Sequence, residues 1–451
     1  MDRDHIQRAG DVLIDELLLI TTKNTIINLT DFLVELNIYE DMFSNYLRGS
    51  IVLSDSRNLI EKGPVIGEEF VKMTIRTPSF KDAIKKTFKV FKLSDRKIVR
   101  DNNTQIFTLH FTSVELFYDI LLPLFVPLEG TITDVASEVF ANYIASSRDY
   151  DLSESTNETT AKESVEETPM YVLNESSNKV KFVSPGWTPF KILNWLASKA
   201  IPKNEKASNY LFFETNKAFY FGSIEYLLKD VAENDNYIGT YSISASNIRD
   251  GANSPDLNRE FFIAKDVEMV ETADSIKNFT NGYLASRLIS LDVYNKTYEV
   301  TDYDYTQEYQ KQWHTSGSGA TSVPIFTKDG FRNFATNISF YPVNPKLYND
   351  FTGNINEKMK DIHGNRKSSL LDLTNLKLNM TVPGRTDIQV GNVLKMIYPA
   401  LGANDKKTGE EEETSDQYFS GYYLITAIHH KINRINHTMT MECVKDSLVP
   451  E

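Results

Sequence analysis

The segment Asp302-Tyr303-Asp304-Tyr305-Thr306 has the Asp-x-Asp-x-Thr order of phosphotransferases that work through an aspartyl nucleophile. That chemistry needs the first Asp at the end of a buried parallel strand, beside Mg²⁺. Here the segment follows an amphipathic stretch of antiparallel type and runs into QEYQKQWH, a context that points to a structural role. It is not a calcium loop either, because Gln307 stands where such a loop needs its turn glycine. His429 and His430 are adjacent in an expected strand, so their side chains leave on opposite faces. His437 can approach one of them across a hairpin, but two ligands do not make a metal site. HTSGSGATS, at 314–322, lacks the Gly-Lys-Ser/Thr ending of a phosphate loop and reads as a flexible loop. No nucleophile-elbow serine and no HExxH helix occurs, and nothing among the carboxylates singles out the pair a glycosidase needs. Trp187 and Trp195 read as core contacts of one helix rather than sugar platforms. The chemistry-bearing residues therefore predict no catalytic residue, no metal and no cofactor.

The elements that would position any site are mostly strands. At 451 residues the chain is too long for one ordinary core, and two to four domains are expected. With 41% apolar and 12% aromatic residues there is ample material to bury. A net charge of −14 disfavours loose binding to nucleic acid or an anionic membrane, both of which need a basic surface. Cys443 is the single cysteine, which excludes an intrachain disulfide and a thiolate zinc cluster. The N-terminus mixes acids into its apolar run and has no signal-peptide pattern; LFYDILLPLFVPL, at 116–128, is too short to span a bilayer. A cytosolic site of synthesis and no membrane insertion are expected.

After an N-terminal arm over 1–24, residues 25–118 carry YLRGSIVLSD, EEFVKMTIRT, TFKVFKLSD and TQIFTLHFTS. These are short β-rich runs bounded by glycine, proline or turn residues, and they predict a first antiparallel β-barrel or sandwich. Over 119–275 the texture changes to helices plus a hairpin. TITDVASEVFANYIASS has helical apolar spacing, with Thr131 and Asp134 as a capping pair. GWTPFKILNWLASKA is a second helix, with Thr188 as its cap and Pro189 at its first position. YLFFETNKAFYFGS is a hairpin turning near Thr215–Asn216, and 151–168 is an acidic loop. Residues 276–305 are read as the start of a second β-barrel, 306–373 as a polar insertion ending in a helix, and 374–451 as the rest of that barrel, with a further acidic loop at 404–416. The fold class expected is α+β, mainly β.

The two β-regions echo one another. GPVIGEEFVKMTIRTP and VPGRTDIQVGNVLKMIYP each lead from a glycine, Gly67 or Gly391, into Lys-Met, and Pro383–Gly384 marks a turn before the second. Gly49, Gly67, Pro383, Gly384 and Gly391 are the turn and strand signatures of the two regions. Phe107, Leu109 and Phe111 in the first region match Met439, Met441 and Cys443 in the second only if the two hairpin gaps differ by one residue.

The order of these segments resembles the central hub proteins of contractile phage tails: the T-even-type baseplate hub, the late control D proteins and the hub part of type VI secretion VgrG proteins. NYLRGSIVLSDSRNLIEKGPVIGEEFVKMTI is similar to their first barrel, and GWTPFKILNWLASKA with NYLFFETNKAFYFGSIEYLL to their middle domain. LNMTVPGRTDIQVGNVLKMIYP and YFSGYYLITAIHHKI are similar to their second barrel. The resemblance implies two similar small barrels forming a torus segment, and a homotrimer making a pseudo-sixfold ring. Such a ring joins the hexameric tail tube, or its initiator ring, to a trimeric central spike, with baseplate wedge proteins as further candidate partners, and passes DNA without binding it. It implies a virion protein without enzymatic activity. VgrG proteins continue into a needle after the hub, whereas this sequence ends at Glu451, so the spike is expected on a separate chain. A hub of a type VI-like or other contractile injection system is the alternative. A tail-associated wall hydrolase and a carbohydrate-binding tail module are more distant ones.

Overall fold

In the computed structural model, residues 7–446 are described apart from 23–24, 63–64, 79, 81, 100–103, 146–167, 244–256, 272–273, 316, 319–336, 344–354, 400–414 and 417. The acidic stretches at 151–167 and 404–414 thus lie outside the described residues. The first third is β: β1 (Leu13–Ile20), β2 (Ile26–Asn28), β3 (Leu33–Asp41), β4 (Arg48–Asp55), the one-turn α1 (Leu59–Lys62), β5 (Phe70–Arg76), β6 (Ala83–Val99) and β7 (Thr104–Ser113). Burial alternates along β4, β5 and β7, the period-2 pattern of a half-buried sheet. β1 pairs antiparallel with β5, so residues 13–20 of the stretch expected as an N-terminal arm are a strand of this sheet. Its signal was hidden because Asp15 and Glu16 interrupt the apolar run while their partners, Arg76 and Lys72, sit on the neighbouring strand.

A helix-rich layer follows: α2 (Val114–Leu121), β8 (Pro127–Thr131), α3 (Ile132–Phe140), β9 (Met170–Val172), β10 (Lys179–Val183), α4 (Pro189–Lys199), β11 (Tyr210–Glu214), β12 (Phe219–Ser223) and α5 (Ile224–Asn234). The Thr131 side chain accepts from the Asp134 N–H, as the capping pair requires. Pro189 is at the first turn of α4, but Thr188 makes no side-chain cap bond. Asp119 of α2 takes that place: its carboxylate accepts from the Phe190 N–H at 2.6 Å. A cap supplied by another helix satisfies the same orphan donor and also ties α2 to α4. Trp187 and Trp195 pack on Phe182, with ring centroids 6.4 and 4.6 Å away.

Then come β13 (Thr240–Ser242), α6 (Leu257–Glu260), β14 (Asp266–Glu271), α7 (Ser275–Asn281), β15 (Ala285–Asp292), β16 (Thr297–Asp304), α8 (Tyr305–Tyr309), β17 (Trp313–His314), β18 (Gly317–Ser318), β19 (Asn337–Val343) and α9 (Ile355–Asp372). The chain closes with β20 (Leu376–Pro383), β21 (Val393–Ile397), β22 (Gly421–Ile432) and β23 (His437–Lys445).

The mainly β, antiparallel α+β class expected from the sequence is what the chain adopts. The strands of both β-regions belong to one open sheet in the order β14-β20-β23-β22-β3-β4-β7-β6-β5-β1-β2, with β21 on β22 and β13 on β21. Residues 276–305, expected to open the second β-region, instead supply β15 and β16 of a separate three-stranded sheet, β16-β15-β19. The place at the edge of the second region is taken by β14, from within the span expected to be α/β. Its Asp266-Val267-Glu268-Met269 alternation is the period-2 signal that could have revealed it. Among the described residues no helix is long and apolar enough to cross a membrane.

Candidate functional site

The two β-regions are copies in strand order and register and share one irregularity, while β6 carries a second shift, between Ser94 and Lys97, that β22 lacks. The first runs β3-β4-β7-β6-β5 and the second β14-β20-β23-β22-β21. Phe111, Leu109 and Phe107 face Gly49, Ile51 and Leu53; Cys443, Met441 and Met439 face Leu378, Met380 and Val382. β6 shifts register between Val90 and Lys92, and β22 does so at the corresponding place, between Ile425 and Ala427. The N–H just before each shift goes to an equivalent carbonyl: Val90 to Glu69 at 2.8 Å, Ile425 to Asn392 at 2.9 Å. Gly67 and Gly391 both lie in the left-handed region, at φ +96° and +87°, where the chain turns into β5 and β21. A bulge conserved between copies of one module is a designed feature of the backbone, since it re-aims the strand beyond it.

Gly49 and Gly384 are required by close approach rather than by φ. A Cβ on Gly384 would overlap the His437 ring, and one on Gly49 would overlap both Asn37 O and the Phe111 ring. Gly49→Ala is therefore expected to lower stability by about 3 kcal/mol, the upper range for overpacking a filled core, read as a fall in the urea midpoint with unchanged slope. Pro383 ends β20 beside this turn, where the Gly384 N–H donates to His437 O at 2.8 Å.

The copies meet where β22 pairs with β3, from Ala427 opposite Asp41 to Ile432 opposite Leu36. On the outer face of this junction His429 stacks on Tyr39, centroids 4.4 Å apart, and bonds Asn37 Oδ1 at 2.7 Å. Lys431 pairs with Glu35 at 3.0 Å. On the inner face Ile38, Leu36, Ile428 and Ile432 are buried. His430 lies there too, its Nδ1 3.0 Å from His437 Nε2 and its Nε2 3.3 Å from Glu40 Oε1. The adjacent histidines thus do point to opposite faces, and His437 does approach one of them. Glu40 meets the far nitrogen of His430, so the three residues form a chain of contacts and converge on no common point. Burial, and then the neighbouring His430, hold His437 well below the usual histidine range.

The face running across β20, β23, β22, β3, β4 and β7 alternates out polar residues, among them Asn379, Thr440, His429, Ser50 and His110. An open groove of about 350 Å³ crosses it, lined by Tyr39, Arg48, Gly49, Ser50, Phe91 and His110. The arrangement suits contact with water and passing solutes; it offers no convergent pair of acid and base.

A second buried cluster escaped sequence reasoning. His314 of β17, Asp372 at the end of α9 and Asp446 just past β23 have ligand-type atoms within 4.8 Å of one another. The stretch beginning at His314, expected to be a flexible loop, is anchored at its start. His314 Nδ1 meets Asp446 Oδ2 at 2.8 Å, and its Nε2 meets Tyr309 O at 2.9 Å. Asp446 also accepts from the Thr315 N–H at 3.1 Å and from its hydroxyl. Tyr283 and Tyr305 donate their hydroxyls to the two oxygens of Asp372. Burial disfavours the imidazolium, but the Asp446 carboxylate outweighs it and holds His314 up at about 9. Burial, reinforced by Asp446, pushes Asp372 up to about 7. Both ring nitrogens of a charged His314 are donors in use, so the cluster works as an ionic clamp; a metal would have to displace one of those bonds. Three residues at 314, 372 and 446 form no spacing motif, which is why the sequence did not reveal them.

The phosphotransferase-like segment is structural. Asp302 pairs with Arg287 on the exposed β15–β16 hairpin, and Asp304 caps α8 by accepting from the Thr306 N–H at 3.0 Å. Thr306 adds a hydroxyl bond to Asp304.

No protein-family model and no curated protein sequence matches the chain. Among solved structures, the tail protein from Neisseria meningitidis MC58 shares the fold, at 10% identity and TM-score 0.52 over 96% of this chain and 97% of that one. The prophage MuSo2 43 kDa tail protein from Shewanella oneidensis is similar at 10% identity and TM-score 0.49, covering 97% of this chain and all of that one. The Francisella PdpA–VgrG complex is similar at 10% identity and TM-score 0.41, over 98% of this chain and 59% of that one.

Proposed function

We propose that the chain is the structural hub of a phage-tail baseplate, a homotrimer forming a pseudo-sixfold ring between a hexameric tail tube and a trimeric central spike. The observation that carries this reading is the doubled module. Two copies of one five-strand unit, joined head to tail in a single sheet, let three chains present six equivalent units on one rim. The threefold repeat of whole chains remains available for the spike on the other side. The polar face of the sheet lines the channel in this reading. Its hydroxyl, amide and imidazole groups, with Lys431 and Lys377 ion-paired to Glu35 and Glu442, on a chain of net charge −14, give DNA no continuous basic track to hold. The protein belongs to the virion tail and acts without catalysis, since the buried ionic clusters serve packing and the groove lacks an acid–base pair.

Light scattering behind a sizing column tests the ring. Three copies of 51.5 kDa are expected, as a ring in negative stain. A chain that stays monomeric at micromolar concentration, and also when a trimeric tail-spike protein is added, would overturn the reading.

A further inference from the structure

The junction inside the chain is a template for the junction between chains. In the first copy, β6 pairs with β5 only from Ala83 to Lys89, and beyond Lys92 that edge has no strand partner among the described residues. In the second copy, the corresponding edge of β22, from Ala427 to Ile432, is where β3 pairs. At the other end of the sheet path β14 holds the place of β3 and has one edge unpaired among the described residues. Resting on the ring reading above, we propose that neighbouring copies of this chain join by antiparallel pairing of the free half of β6 with β14 of the next copy, in the register already used between β22 and β3.

The register follows from the shared partners. Ile98 faces Gln105 as Ile432 faces His437, and Lys97 faces Ile106 as Lys431 faces Thr438. Val267 faces Met380 as Leu36 faces Ile51, and Asp266 faces Thr381 as Glu35 faces Val52. The template therefore sets Ile98 opposite Val267 and Lys97 opposite Glu268 of the next copy. Burial marks the missing partner: Ile432 is 0% exposed where β3 covers it, whereas its counterpart Ile98 is 72% exposed. A long open edge bearing such a residue is a ready site for strand addition. Charge agrees. The β6 edge carries three cations, Lys92, Arg96 and Lys97, against one acid, Asp95, and β14 carries Asp266 and Glu268, all exposed. Lys97 stands where Lys431 meets Glu35, and Asp266 where Glu35 stands, so the internal ion pair has its counterpart between chains.

Paired cysteines test the register, and the buried Cys443 leaves the background clean. The full-length Lys97→Cys/Glu268→Cys variant, oxidised and run without reductant, is expected to give covalent dimers and then a closed trimer. A Lys97→Cys/Val293→Cys control, with one cysteine on the separate β15–β16 hairpin, should stay at the mass of one chain. In parallel, Lys97→Glu or Asp266→Lys alone should raise the concentration needed for assembly about tenfold, and the double reversal should restore it. An oligomer by light scattering that gives no in-register cross-link, or whose charge reversals fail to rescue one another, overturns the pairing and leaves the ring. A monomer in every variant and in the parent overturns the ring itself, and the pairing with it.

Discussion

Exchanging Asp446 for asparagine is expected to lower the unfolding free energy by about 3 kcal/mol at pH 7, because His314 then loses the carboxylate that keeps it charged in a buried site. The effect should depend on pH with a definite sign. His314 binds its proton more tightly in the folded chain, about 9 against an ordinary 6.5. Its contribution is therefore complete below about pH 6.5 and disappears as the pH rises through 9. Asp372 adds a drift of the same sign at lower pH. Its folded value, about 7, lies above the ordinary 3.8, so its contribution fades between about pH 4 and 7. Urea melts of parent and variant at pH 6, 7.5 and 10 check this. The gap should be widest at pH 6 and largely closed at pH 10. A gap that stays constant would place the value of Asp446 in its bonds to Thr315 and not in the His314 charge.

That clamp joins distant parts of the chain. Asp446 directly follows β23, a strand of the doubled sheet, while His314 belongs to β17 and Asp372 to α9. The segment between β16 and β20 is thus tied to the sheet it interrupts. An insertion anchored by a buried charge pair can move only at the cost of exposing or separating that pair.

What the sequence made legible were elements with a strong local period. The alternation of Phe107, Leu109 and Phe111, the helical spacing of Ile192, Leu193 and Leu196, and the Thr131–Asp134 cap all describe contacts made within a few residues of chain. The echo of Gly67 and Gly391 was visible because each turn needs a left-handed residue at its own position. What stayed hidden depends on distant partners. β1 is a strand because β5 lies beside it, and β14 because β20 does. The cap of α4 comes from Asp119, far back in sequence, so Thr188 looked sufficient. The same holds for the candidate site. Its two copies could be matched by pattern, but the β22–β3 junction that turns two copies into one sheet is a pairing over almost the whole chain, and no local signal specifies it.

The largest single effect is expected at Glu214. This carboxylate, on the last residue of β11, is fully buried and pairs with Lys86 of β6. Its second oxygen accepts from the Leu47 N–H at 2.8 Å and the Ser113 hydroxyl at 2.5 Å, at the start of β4 and the end of β7. One side chain of the helix-plus-hairpin layer therefore holds three strands of the first module. Burial pushes its carboxyl up to about 7 even with Lys86 beside it, a sign that desolvation outweighs the attraction. Glu214→Ala leaves the Lys86 ammonium buried opposite the Phe219 ring without its counter-ion, and is expected to destabilise the chain by about 3–5 kcal/mol. The paired exchange Lys86→Met with Glu214→Leu removes both desolvation costs, and should return most of that loss. It still leaves the Leu47 N–H without its acceptor, so full recovery is not expected. Denaturant melts of Lys86→Met, of Glu214→Leu and of the double form a cycle that reads the coupling directly. Strong recovery in the double would mean that the layer is seated on the sheet mainly by apolar packing, with the ion pair setting its register. Equal losses in single and double variants would mean that the bonds from Leu47 and Ser113 hold the layer, and that the charge of Lys86 is incidental.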